Sequence, residues 1–127
     1  MPNEAELRSI EFVKRWAEKK GITVRKPSSK GAGYDLEFVH PDGGVEKIEV
    51  KGSSKVYSIP DMRVSEFEGK SLKADFLYVV GNVLSPGEEH LYVIPRGALK
   101  PENLRLRQTY FISRFQTKIN MEKYRIL

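Results

Sequence analysis

The stretch GYDLEFVHPDGGVEKIEVKG, residues 33 to 52, decides how this chain folds. Its two arms, Tyr34 to Val39 and Val45 to Lys51, alternate between apolar and polar residues, as strands buried on one face do. Between them, His40 to Gly44 (HPDGG) is dense in turn formers, so the arms are expected to fold back as an antiparallel hairpin. Residues two apart in a strand share a face, which sends Glu49 and Lys51 to one side and Ile48 and Val50 to the other. A turn centred on Asp42 and Gly43 pairs residues whose numbers sum to about 84 or 85, setting Asp35 opposite Glu49 or Val50.

The hairpin therefore gathers an aspartate, a glutamate and a lysine at one end. Converging carboxylates repel unless a cation neutralises them, and a hard oxygen set of this kind favours Mg²⁺ or Mn²⁺. Such a site can lower the pKa of a bound water and stabilise charge on a scissile phosphate, while a neighbouring lysine orients or deprotonates that water. The competing interpretation is a solvated cross-strand ion pair worth less than about 1 kcal/mol. The apolar neighbours Ile48 and Val50, and the run Gly52, Ser53, Ser54 where backbone can approach a phosphate, favour the chemical one.

Working outward, Asn3 to Lys20 is expected to be an amphipathic helix with Leu7, Ile10, Val13 and Ala17 on its apolar face, capped by Asn3 and stopped by Gly21. Ile22 to Val24 suits a short strand, and Arg25 to Gly33 (RKPSSKGAG) a polar, basic loop. Pro60, Met62, Val64 and Phe67 suggest a short helix. Ala74 to Val80 has the continuous apolar run of a central strand, with Leu91 to Pro95 pairing near it. Beyond Pro101, RLRQTYFISRF suits a strand, and TKINMEKYRIL a strand or a short helix.

The chain has 127 residues, enough for one core, and no internal repeat or linker, so a single domain spanning 1–127 is expected. No segment approaches the roughly 18 apolar residues of a membrane span, and the acidic N-terminus lacks a signal pattern; the expected location is cytoplasmic. With no cysteine and only His40 and His90, thiolate zinc and histidine-rich sites are excluded. The formal charge of +5 suits a polyanionic partner such as nucleic acid.

The run Gly33-Tyr34-Asp35, followed after a short hairpin by Glu49-Val50-Lys51-Gly52, resembles the PD-(D/E)xK, or restriction-endonuclease-like, superfamily. Within it the chain looks most like the uncharacterised domain at the C-terminus of the plant NO VEIN protein, and it is also similar to archaeal Holliday-junction resolvases. The resemblance covers residues 6 to about 80. It implies an α/β (α+β) fold with an αβββαβ core, a mixed central sheet flanked by helices. It further implies Asp35 and Glu49 as ligands of Mg²⁺ or Mn²⁺, Lys51 as the catalytic lysine, and hydrolysis of DNA leaving a 5′-phosphate. Tyr34 stands where the motif's nominal proline would be.

Many members of the superfamily add a glutamate from the first helix. Here Glu6 is the one on the apolar face, either as a further metal ligand and catalytic residue or as the partner of Asn3 in a capping box. Arg25, Lys26 and Lys30, with Ser53, Ser54 and Lys55, flank the site in sequence and are candidate phosphate contacts. Tyr57 and Arg63 suit either nucleic-acid contact or ordinary core and surface roles, and the two histidines are expected to be bystanders. The expected function is a Mg²⁺-dependent DNA endonuclease of restriction, repair or recombination type, as a homodimer or with a partner protein. The alternatives are a non-catalytic nucleic-acid-binding module or a scaffold subunit keeping the fold, with RNA as another possible target.

Overall fold

A computed structural model describes residues 3–28, 31–62, 64–103, 105–106, 110–112 and 115–127. Helix α1 spans Glu4–Lys19 and is started by Asn3, whose Oδ1 accepts the backbone N–H of Glu6 at 2.8 Å. Its buried face is Ser9, Val13 and Ala17. Leu7, expected on that face, is 56% exposed. Leu7 lies about 120° around the helix from buried Val13, and the sheet is met by Ser9 instead: an added Cβ on Gly52 would stand 2.8 Å from both the Ala5 carbonyl oxygen and Ser9 Cβ. The helix approaches the sheet so closely that a small serine, not a leucine, fits at the contact.

The strands are β1 (Thr23–Arg25), β2 (Leu36–Val39), β3 (Val45–Gly52), β4 (Phe67–Glu68), β5 (Ser71–Leu72), β6 (Phe76–Gly81) and β7 (His90–Pro95). Five of them form one mixed sheet in the order β1-β2-β3-β6-β7, parallel at β3–β6 and antiparallel elsewhere. The hairpin lies where expected: His40 N–H donates to Gly44 O at 2.8 Å, and Gly43, with φ of 90°, supplies the left-handed turn residue.

Parallel strands need a crossover, usually helical. The helix expected near Pro60 is instead a single 3₁₀ turn at Val64–Glu66 followed by the small β4–β5 hairpin. Gln116 Oε1 accepts the Ile59 N–H at 2.6 Å, pinning the segment, and Gly69, with φ of 63°, reverses the chain. Ile59, Met62, Phe67 and Leu72 all bury into one cluster, which this winding path allows. The element order of the αβββαβ plan holds, with the crossover helix reduced to one turn.

Strand β6 shows how the sheet divides the core. Tyr78 and Val80 pack with Val13, Ala17, Leu36, Phe38, Ile48 and Val50 beneath α1. Leu77 and Val79 pack on the opposite face with the crossover residues, Tyr92, Ile94 and Met121. The C-terminal region contains a β8 (Arg105–Leu106) and β9 (Tyr110–Phe111) pair and helix α2 (Lys118–Glu122). Its last residues cover the edge of β7, with Val93 N–H donating to Tyr124 O at 2.9 Å and Ile126 N–H to Leu91 O at 2.6 Å. Among the described residues no helix is long and apolar enough to cross a membrane.

Candidate active site

The register of β2 on β3 pairs Leu36 with Ile48 and Glu37 with Lys47. Asp35, one step before β2, donates its N–H to Ile48 O at 2.9 Å, so its position faces Glu49. Its Oδ2 accepts the Val50 N–H at 2.8 Å, and its carboxyl is hydrogen-bonded to that of Glu49. Glu49 points away from α1, on the face that carries Leu77 and Val79, and is 3% exposed. Lys51, two residues on, shares that face; its Nζ lies 3.5 Å from Glu49 Oε2.

Burial dominates the electrostatics. The Glu49 carboxyl is pushed up to about 9 by desolvation, then by the negative charges of Asp35 and Glu66. Desolvation also raises Asp35, against the Val50 N–H, Glu49 and Lys51, which favour its anion. Burial works to lower Lys51, but the carboxylates of Glu49 and Glu66 outweigh it and hold the ammonium above its ordinary value. Burial and the mutual repulsion of the two carboxyls favour the protonated form of Glu49 when no cation is bound.

That donor set fits a divalent metal. Asp35 and Glu49 are hard oxygen donors, the first half-buried and the second buried, and their double ionisation side by side calls for a compensating charge. No group of three or more His, Cys, Asp or Glu side chains able to hold a metal converges among the described residues. Mg²⁺ is commonly held by one or two carboxylates, with waters and substrate phosphate completing its shell.

Glu6 does not join this pair. It is exposed in the first turn of α1, and its charge bears on Asp35, whose carboxyl it raises. Its backbone serves the Asn3 cap.

Glu66 was not anticipated. The 3₁₀ turn delivers it, 8% exposed, to the other side of Lys51, where Oε1 accepts from Nζ at 2.9 Å. Its Oε2 is buried without a hydrogen-bond partner among the described residues. The turn is held against the Gly33 loop: a Cβ on Gly33 would lie 2.8 Å from Ser65 O and 2.5 Å from Lys73 Cδ, and its φ is 88°. The local signal was thin, a lone acid in a segment patterned like a helix.

A cavity of about 630 Å³ opens on the site, and Asp35, Glu49 and Glu66 line it together with Arg25, Lys26 and Ser28. Arg25 Nε is 2.6 Å from Glu37 Oε1, and Tyr34 donates its hydroxyl to the other oxygen of Glu37 at 2.6 Å. Lys26 is exposed, and Lys30 lies outside the described residues, as does Arg63. Ser53 is buried and its hydroxyl accepts the Lys55 N–H at 3.1 Å, which commits it to the turn after β3; Ser54 and Lys55 are exposed. Tyr57 packs against the core and donates to Glu122 at 2.6 Å. His40 pairs with Glu46 near the hairpin turn, and His90 stacks on Tyr92.

An α1 helix beside a five-stranded mixed sheet, with an acid pair and a lysine at the end of its central hairpin, defines an endonuclease-like fold. The solved structure of a bacterial homing endonuclease matches it with a TM-score of 0.60 over 97% of this chain and 89% of that one, at 21% sequence identity. The chain belongs to the family described as protein NO VEIN, C-terminal, whose model matches residues 5–94. No curated protein matches.

Proposed function

We propose that this domain hydrolyses phosphodiester bonds of nucleic acid, most readily DNA, with Asp35 and Glu49 holding Mg²⁺ or Mn²⁺ and Lys51 acting on the attacking water. The observation that carries this reading is the Asp35–Glu49 carboxyl pair, with Glu49 buried, Asp35 half-buried and Lys51 Nζ 3.5 Å from Glu49, on the wall of an open cavity. A purely structural ion pair has no need to set a second acid against a buried one.

The metal would supply Lewis-acid stabilisation of charge on the phosphate and acidify a bound water. The remaining contributions belong to the chain. Asp35 is oriented by the Val50 N–H, and Glu49 by its place in the middle of the sheet between β2 and β6. Lys51, held as an ammonium by Glu49 and Glu66, orients the water and offsets negative charge accumulating on the phosphate oxygens; deprotonation by a neutral lysine is disfavoured in this setting. Lys26 and Arg25 border the cavity and meet the phosphates of the bound strand.

The endonuclease-like fold and family membership support this reading without assigning a target. Incubating the protein with labelled duplex, single-stranded, flap and junction DNA, and with RNA, with and without Mg²⁺ or Mn²⁺, tests it. Metal-dependent cutting lost in Lys51→Ala is the expected result; binding without cutting under every condition would favour a non-catalytic module.

A further inference from the structure

Odd-numbered residues of β3 share one face, so Lys47, Glu49 and Lys51 form a row. Moving along that row from the acid pair toward the hairpin turn, the protein surface opens into a second cleft of about 400 Å³. Lys47, Lys73 and Arg96 line it, from β3, the turn before β6 and the 3₁₀ turn that follows β7. Tyr34 and Ala32 line both this cleft and the cavity at the acid pair, so the two are contiguous.

The cations are set in place by identifiable contacts. Lys47 Nζ stands 5.7 Å from the centre of the Tyr34 ring, whose own hydroxyl is anchored on Glu37. The Lys73 stem packs on Gly33, the residue before the Tyr34-Asp35 pair, where any side chain would collide with it. Asp75 accepts the Lys47 N–H at 2.8 Å through Oδ2 and faces Arg96 at 3.6 Å through Oδ1. Of the acids nearby, Glu37 is engaged by Arg25 and Tyr34, Asp75 by the Lys47 backbone N–H and the Arg96 guanidinium, and Glu68 lines the cleft. Lysine and arginine on one wall, an aromatic face at the threshold and Ser71 as a small polar donor suit a sugar–phosphate backbone.

We propose that this cleft binds the phosphates of the nucleic-acid strand flanking the scissile bond, so that the substrate is a strand running from the acid pair across Tyr34 into the Lys47–Lys73–Arg96 cleft. The proposal rests on the nucleic-acid reading of the site, and adds that a substrate ending at the scissile phosphate is bound poorly. Each cation that meets a phosphate releases condensed counterions, so its removal lowers the steepness of the salt dependence.

The test measures binding of fluorescent single-stranded and duplex DNA oligonucleotides to the full chain in EDTA, by anisotropy over a range of salt concentrations. Lys47→Ala, Lys73→Ala and Arg96→Ala are each expected to reduce the log–log salt slope by about one, whereas Lys19→Ala, on the helix covering the other face, leaves it unchanged. Circular dichroism of each variant separates lost contacts from lost folding. If the wild type binds DNA and the three variants keep its affinity and slope, the cleft assignment is overturned while the nuclease reading stands. If the wild type binds no nucleic acid at any salt concentration, both fall.

Discussion

Lys51 Nζ lies 2.9 Å from Glu66 Oε1 and 3.5 Å from Glu49 Oε2, so the ammonium is fixed between a residue of the acid pair and a carboxylate from the crossover. Glu66 thus acts through Lys51. Glu66→Ala is expected to lower kcat roughly 10–100-fold with KM little changed, the scale seen when a supporting hydrogen bond to a site residue is lost. Glu66→Gln, which keeps an acceptor, should recover part of that loss. Lys51→Ala should cost about 10²–10⁴-fold. Single-turnover cutting assays on the three variants check the order, and equal rates for Glu66→Ala and wild type would remove Glu66 from the mechanism.

The raised Glu49 carboxyl gives the metal-free protein a defined pH dependence. Its folded value of about 9 stands above the ordinary 4.5, so between these values the folded state holds a proton that the unfolded chain releases. The contribution to stability is complete below about 4.5 and is lost as pH rises through about 9. Urea denaturation in EDTA at pH 5, 7 and 9 should therefore show declining stability, and Glu49→Gln should flatten the decline. Excess Mg²⁺ should restore stability at the alkaline end by binding the ionised pair.

Gly52 sets the distance between α1 and β3. In Gly52→Ala the new Cβ would meet the Ala5 carbonyl oxygen and Ser9 at 2.8 Å, and the helix must shift to admit it. Overpacking of this kind costs about 1–3 kcal/mol. A lower urea midpoint at unchanged m-value is the expected outcome. Gly33→Ala is strained twice over, by its φ of 88° and by Ser65 O, and should move the Asp35 loop as well as destabilise it.

Glu6 is exposed and bears on the site as a charge that raises Asp35. Glu6→Gln should leave Mn²⁺ affinity within about threefold of wild type, less than the 10–100-fold expected even for an outer-shell partner. Isothermal titration measures this directly, and a loss comparable to that of Asp35→Ala would make Glu6 a ligand after all.

The hairpin and its acid pair were legible because two local rules agree there. Strand alternation fixed which residues of Val45 to Lys51 share a face, and the HPDGG turn fixed the register that brings Asp35 to Glu49. Glu66 was hidden because Pro60, Met62, Val64 and Phe67 carry a helix-like pattern, whereas tertiary burial of Ile59, Met62 and Phe67 and the turn at Gly69 chose a 3₁₀ turn and a hairpin. The inward face of α1 was misjudged for a related reason. The spacing Leu7, Ile10, Val13 drifts around the helix, leaving Leu7 about 120° from Val13, and Ser9 holds the close approach to Gly52, a contact that no local pattern announces. Contacts made between distant segments leave little trace in the local pattern of either.

The central claim is that Asp35 and Glu49 hold a metal ion used to cut nucleic acid. Isothermal titration of Mn²⁺ into wild type and Asp35→Ala, followed by DNA cutting on the same samples, tests it most directly. Saturable binding and cutting in the wild type, and neither in a still-folded Asp35→Ala, are the expected outcome. Undiminished metal binding and cutting by a folded Asp35→Ala protein would contradict it.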